Sequence, residues 1–192
     1  MIILTDCDGV LLSWQHSFEW WMKRKGYKKK CVSYCISEQY GIPKEKAGSL
    51  TERFCESAEI GFLPPLKDAI KYVRKLHEEH GAVFHCITSI GTDPFVIKLR
   101  EQNLARLFGE GVFERMEYLP CGADKEHSLE RYRDSDFIWV EDRLENANLG
   151  AQIGLRSFLI NHPYNENPTF TGIHPSVVRV DNWKDIYDYI AD

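Results

Sequence analysis

Short apolar runs alternate along the chain with stretches whose apolar residues recur every three to four positions. Residues 1–6 read as a strand entered at once. Pro64 and Pro65 open a helix over Leu66–Glu79, where Leu66, Ile70, Val73 and Leu76 share one face. Gly81 stops it, and Ala82–Thr88 follows as a strand buried on both faces. Asp93 and Pro94 start a helix that runs to about Phe108. A short strand is expected within Val112–Leu119, and a short helix over Asp124–Arg131. Phe137–Val140 and Arg156–Ile160 read as strands around a helix at Leu144–Ile153 that Gly154 ends. Val177–Val180 and Trp183–Ile190 add a last strand and a last helix. Strands separated by helices imply parallel crossovers, hence an α/β fold with a doubly wound parallel sheet.

One interval does not fit that rhythm. Almost sixty residues separate Asp6 from Pro65, whereas a crossover needs only about a dozen. A structureless loop of that length is improbable, so residues 14–62 are expected to form a small inserted helical module. Residues 1–13 and 63–192 then make the α/β core. Within the insertion, Trp14, Phe18, Trp21 and Met22 recur at helical spacing. Tyr34, Ile36 and Tyr40 suggest a second helix that ends at Gly41-Ile42-Pro43, and Leu50, Phe54 and Ala58 a third. Those aromatics can be the insertion's own core.

The formal charge is −5, from 24 Lys and Arg against 29 Asp and Glu. That balance argues against a general nucleic-acid binder, so no stable nucleic-acid partner is expected. Lys23–Lys30 holds six basic residues in eight; it reads as a solvated surface that could also draw in an anionic ligand. No basic leader and no apolar run of membrane-spanning length is present, so a cytoplasmic protein without a membrane partner is expected. Six cysteines then default to free thiols. Cys31 and Cys35 have zinc-like spacing, but no second pair matches it.

The chemistry gathers at strand ends. Asp6 and Asp8 close the first strand, and alternation turns both carboxylates to one side. Like charges this close require a cation or a raised pKa. Gly9 permits a sharp exit from the strand. Thr88, with Ser89 beside it, ends the second strand, and Glu141 and Asp142 follow Phe137–Val140. Lys125 lies at the start of the short helix. Ligands of open α/β sheets bind at the carboxyl ends of the strands, where these residues would meet.

In this order the residues resemble the haloacid dehalogenase superfamily, in its phosphatase branch. Asp6-Cys7-Asp8-Gly9-Val10 is similar to that family's first motif, Cys86-Ile87-Thr88-Ser89 to the second, and Lys125 to the third. Val140-Glu141-Asp142-Arg143-Leu144-Glu145-Asn146 is similar to the fourth. The resemblance implies a Rossmann-like core, a helical cap made by residues 14–62, and a magnesium-dependent phosphatase with an aspartyl-phosphate intermediate. It makes Asp6 the nucleophile and Asp8 the acid and base. Thr88 and Lys125 would be phosphoryl contacts. Magnesium would be held by Asp6, the Asp8 main-chain carbonyl and Asp142, with Glu141 and Asn146 behind them.

Asn161-His162-Pro163-Tyr164-Asn165, with Arg179, Val180 and Trp183, further resembles the tail of the cytosolic 5′(3′)-deoxyribonucleotidases. That implies a small phosphorylated substrate, a (deoxy)nucleoside monophosphate, with Phe18, Trp20 and Trp21 stacked on the base and Ser89 nearby. The alternatives are a sugar-phosphate phosphatase, a phosphomutase and an inactive phosphate-binding module. Glu141 and Arg143 depart from the family pattern without a clear role, and the oligomeric state is left open.

Overall fold

The computed structural model describes residues 1–166 and 172–191. Six strands form one parallel sheet: β1 (Ile2–Thr5), β2 (Val83–Thr88), β3 (Phe113–Tyr118), β4 (Ile138–Glu141), β5 (Arg156–Ile160) and β6 (Val178–Val180). Their spatial order is β3-β2-β1-β4-β5-β6. The order reverses between β1 and β4, where the two following crossovers leave on opposite sides and open a crevice at the carboxyl edge.

Helices cover both faces. Ile3, Phe84, Val140 and Phe158 turn to the side packed by α4 (Ala69–His80), α5 (Pro94–Phe108) and α8 (Trp183–Ala191). Leu4, Ile87 and Trp139 turn to the other, with Leu129 of α6 (Glu126–Glu130) and Ile153 after α7 (Leu144–Gln152). The strands read as continuous apolar runs because both of their faces are buried. Asp93 caps α5 by accepting from the Phe95 and Val96 amides at 2.8 and 3.2 Å.

Helix α4 starts at Ala69, three residues later than the proline pair suggests. The preceding segment is extended: the Leu66 amide donates to Leu11 O and the Ser13 amide to Pro64 O, each at 2.8 Å. These bonds bind the two ends of the insertion together. Asp68 serves another helix, accepting from the Trp183 and Lys184 amides at the start of α8.

Between these ends lie α1 (Trp14–Arg24), α2 (Ile36–Tyr40), α3 (Lys44–Cys55) and a 3₁₀ turn at Ala58–Phe62. Gly41 ends α2 at φ +60°, a conformation that favours glycine. Trp14 stacks on Phe18 at 4.7 Å between ring centres, and Phe54 meets Phe18 and Trp21 edge-on at 5.3 and 5.6 Å. The aromatic stripe of α1 thus packs mainly against α3.

Candidate active site

The carboxyl ends of β1, β2 and β4, with the loop between β3 and α6, bring Asp6, Asp8, Thr88, Asp142 and Lys125 onto one cavity of about 260 Å³. Ser89, Arg143 and Asn146 line it too. The insertion supplies the opposite wall through Trp14, Gln15, Tyr34, Ile36, Thr51 and Cys55.

Asp6 Oδ1 accepts from Lys125 Nζ at 2.8 Å and from the Cys7 amide at 2.6 Å. Its other oxygen has no donor among the described residues. Burial pushes the Asp6 carboxyl up to about 7; Lys125 pulls against that shift, while Glu141 and Asp8 add to it. Burial also raises Asp142 well above the carboxylate range, with Glu141 and Asp6 adding repulsion. Lys125 is itself buried, which disfavours its charge, but Asp6 and Glu141 outweigh this and raise its pKa.

Glu141 has a structural position. One oxygen accepts from Lys125 and Asn146, both at 2.7 Å, and the other from the Asp142 and Arg143 amides at 2.7 and 2.9 Å. Four donors hold this carboxylate below its usual range despite burial, Lys125 contributing most. Asn146 therefore bonds to Glu141 and acts on Asp142 only through it. The Arg143 guanidinium turns to Glu145 and lies 5.6 Å from the Tyr34 ring centre.

Thr88 is 1% exposed, and its hydroxyl has no hydrogen-bond partner among the described residues. A buried hydroxyl left unpaired is costly unless something binds it, so this one is ready for an incoming oxygen. The Ser89 hydroxyl instead donates to Ala123 O at 2.9 Å, fixing the loop before Lys125.

Asp8 is held by a residue the motifs do not include. Arg100, fully buried on α5, donates to its two oxygens at 2.5 and 3.0 Å. It also donates to Cys7 Sγ at 2.8 Å. The readable clue is a charge on the buried stripe of α5, where Val96, Arg100 and Leu104 recur every four residues.

The segment 161–165 buttresses the site. Tyr164 donates its hydroxyl to Asp142 Oδ2. Asn165 donates to Asp142 O at 2.7 Å and Ile160 O at 2.8 Å, and His162 Nε2 meets Gly9 O at 2.7 Å. Arg179 secures the segment from β6 through Asn165 O at 2.7 Å, and Trp183 donates to Val10 O at 2.8 Å. Gly9, at φ +81°, lies so close to Asp142 that a Cβ there would overlap its carboxylate and crowd the Tyr164 hydroxyl.

The aromatics expected to stack on a base lie elsewhere. Phe18 is fully buried and Trp21 is 7% exposed, both in the hydrophobic cluster that joins the insertion to the main core. Trp20, on the opposite face of α1, is 54% exposed and outside the cavity lining. Helical spacing decides this, since Trp14 and Phe18 share a face that Trp20 cannot. Aromatic contacts to the cavity come from Trp14, Tyr34 and Tyr164 instead.

Asp6, Glu141 and Asp142 can each bring one oxygen within 4.8 Å of the others, the sole such His/Cys/Asp/Glu grouping among the described residues. Glu141 already has four donors, which leaves Asp6 and Asp142 as the available ligands. Four carboxylates against Lys125 and Arg100 leave an excess of negative charge that a hard divalent cation would satisfy. Cys31 and Cys35 make local bonds instead, to Glu38 O at 3.3 Å and Ser37 Oγ at 3.0 Å.

No protein-family model matches the sequence. An uncharacterised 32.4 kDa protein of Enterobacteria phage T4 is 30% identical over 163 residues, 79% of this chain. The chain spans 57% of the length of that relative. Among solved structures, a haloacid dehalogenase-like hydrolase from Streptococcus pneumoniae superposes with TM-score 0.67 at 14% identity, covering 98% of this chain and 97% of its own. The D,D-heptose 1,7-bisphosphate phosphatase of B. bronchiseptica, complexed with magnesium and phosphate, gives 0.64 at 13% identity, with 99% and 97% covered. CbbY of Rhodobacter sphaeroides, in complex with phosphate, gives 0.57 at 16%, with 96% and 95% covered. Sheet order, strand direction and these superpositions together show that the chain has the haloacid dehalogenase-like fold.

Proposed function

We propose that the chain is a magnesium-dependent phosphomonoester hydrolase that works through an aspartyl-phosphate on Asp6. The observation that carries this is the unpartnered Thr88 hydroxyl beside Asp6 and Lys125 in one cavity. A phosphoryl group seated there gives Thr88 an acceptor and Lys125 a third anionic neighbour. One Asp6 oxygen is already held, and the other attacks phosphorus as the ester oxygen leaves.

Asp8 gives the leaving oxygen its proton, then takes one from the water that attacks the phosphoaspartate. Phosphate departs and the Asp6 carboxylate is restored. Arg100 aims Asp8, and one Asp8 oxygen must loosen from it for the proton to pass. Magnesium would be held by Asp6, Asp142 and the Asp8 carbonyl, with Tyr164 and Asn165 orienting Asp142. When bound, it offsets the repulsion between the carboxylates and the phosphoryl group. The insertion acts as a cap over this edge of the sheet.

The preferred substrate class is a (deoxy)nucleoside monophosphate. Trp14, Tyr34, Tyr164, Ile36 and Ile90 give the cavity planar and apolar walls suited to a base. A polyhydroxylated sugar would find its polar partners there in Gln15, Thr51 and Arg143. The test is phosphate release from matched panels of nucleoside and sugar monophosphates, with and without magnesium. Magnesium-dependent release favouring nucleotides, with a higher KM in Trp14→Ala, supports the reading. Release concentrated on sugar phosphates replaces the substrate class, and release that ignores Asp6→Asn defeats the mechanism.

A further inference from the structure

Two further depressions flank the catalytic cavity along the surface of the insertion. It shares Gly9, Trp14, Gln15 and Tyr164 with a second depression that passes Val32 and His162. That depression shares His16, Glu19 and Lys29 with a third, whose wall includes Trp20, Lys23, Tyr27 and Lys28. The three depressions adjoin at these shared side chains, in a row that leads from the catalytic cavity to the basic run, and the outer two are called the groove below.

The outer groove differs in charge from the rest of the molecule. Residues 14–62 hold nine Lys and Arg against six Asp and Glu, in a chain of net charge −5. All six basic residues of Lys23–Lys30 are exposed. Of these, Lys23, Lys28 and Lys29 line the outer groove; Lys29 pairs with Glu19, while Lys23 and Lys28 have no acidic partner among the described residues. Glu19, the carboxylate on the groove wall, is bonded by Lys29 and by Gln15.

Aromatic rings alternate with these charges. Trp20 is 54% exposed, with the Lys23 ammonium 5.2 Å from its ring centre and His16 edge-on at 6.5 Å. Tyr27 is half-buried, with Lys46 Nζ at 5.2 Å.

We propose that this groove binds a single-stranded polynucleotide whose terminal nucleotide enters the catalytic cavity. Ammonium groups that track a backbone, with rings on which bases stack, are the requirements for sequence-tolerant binding of single strands. An anionic membrane would need a continuous apolar face to insert, and α1 exposes one large apolar side chain, Trp20. The net charge points the other way because it averages a positive insertion with a more negative core. Only the seating of the terminal phosphate rests on the phosphatase reading; binding along the groove does not.

The test measures the two separately. Fluorescence anisotropy follows a labelled oligothymidylate without terminal phosphate, using wild type, Trp20→Ala and the double variant Lys23→Glu/Lys28→Glu. Hydrolysis of p-nitrophenyl phosphate reports on the catalytic centre. We expect wild-type affinity to fall about tenfold or more between 50 and 200 mM salt. Trp20→Ala should weaken binding at least about fivefold, and the double variant about tenfold or more, with its p-nitrophenyl phosphate hydrolysis unchanged.

Oligonucleotides phosphorylated at the 5′ or the 3′ end then test the seating. One of them should be dephosphorylated by wild type, with KM raised in the double variant. Absence of oligonucleotide binding at 50 mM salt overturns the proposal. So does binding that the double variant leaves intact, or binding confined to phosphatidylglycerol vesicles. Hydrolysis of p-nitrophenyl phosphate with neither oligonucleotide end dephosphorylated overturns the seating. If p-nitrophenyl phosphate is not hydrolysed either, the phosphatase reading fails, and anisotropy still decides the groove.

Discussion

The carboxyl edge of the sheet and the helical insertion use burial in opposite ways. At the sheet edge, Asp6, Thr88, Lys125, Glu141 and Asp142 are all less than 10% exposed, so polar groups are held dry at a cost. In the insertion, Phe18, Trp21 and Phe54 fill an ordinary aromatic core while Trp20 and the lysines face water. The first region stores unsatisfied charge and an unpaired hydroxyl, which suits chemistry. The second packs its apolar side chains away and presents its charge outward, which suits recognition. Substitutions should separate the two, since those at the edge change turnover and those on the insertion's surface change affinity.

The largest effect is expected at Asp6. Asp6→Asn should reduce magnesium-dependent phosphate release to background while keeping a cooperative thermal transition by circular dichroism. Asp8→Asn should cost about 10²–10⁴-fold in kcat with an alkyl phosphate. It should cost far less in the first step with p-nitrophenyl phosphate, whose leaving group needs no proton. Equal losses in the first step, read as the burst of released alcohol or phenol, would remove Asp8 from protonating the leaving oxygen.

Arg100→Met probes the sheet edge from behind, because it breaks the buried pair that aims Asp8. We expect about 3 kcal/mol of lost stability by denaturant titration, the low end for such pairs because the Asp8 side chain keeps 20% exposure. A shift in the pH profile of kcat should accompany it. A stability loss with an unaltered profile would make Arg100 purely structural.

Magnesium should give a smaller effect whose sign depends on pH. Without metal, the raised pKa of Asp6 means that its contribution to stability is present below the ordinary aspartate range and is lost as pH rises towards about 7. Magnesium requires the carboxylates and competes with those protons. The rise in Tm on adding magnesium should therefore be larger at pH 8 than at pH 5.5, by differential scanning fluorimetry. Asp142→Asn should abolish most of this difference, and a shift independent of pH would place the ion elsewhere.

What the sequence made legible follows from how local each cause is. Strand-end residues were readable because the end of an apolar run fixes both their location and their edge of the sheet. Asp6, Thr88 and Asp142 reach one cavity for that reason. The α5 boundaries were equally local, set by Asp93, Pro94 and Gly109. The start of α4 was not, because Pro64–Leu66 pair with Leu11–Ser13 across the base of the insertion.

Arg100 and Tyr164 act on Asp8 and Asp142 from distant parts of the chain, so spacing around the carboxylates gives no sign of them. Segment 161–165, which resembles the nucleotidase tail, contacts Gly9 and Asp142, so it shapes the loops after β1 and β4. The aromatics of α1 were misplaced because an aromatic can serve a core as well as a ligand. Only the side of α1 facing the cavity settles which, and there Trp14 stands rather than Phe18, Trp20 or Trp21.

The central claim is that Asp6 becomes phosphorylated, and it can be observed directly. Asp8→Asn is mixed with p-nitrophenyl phosphate and magnesium, quenched in acid and digested for mass spectrometry. The first displacement proceeds without an acid, while the second lacks its base, so the phosphoenzyme should accumulate. The account predicts one phosphoryl group on the peptide that contains residue 6, located at Asp6 and removed by hydroxylamine. Phosphate on another residue, or an unmodified Asp6 while the wild-type chain turns over the same ester, would contradict it.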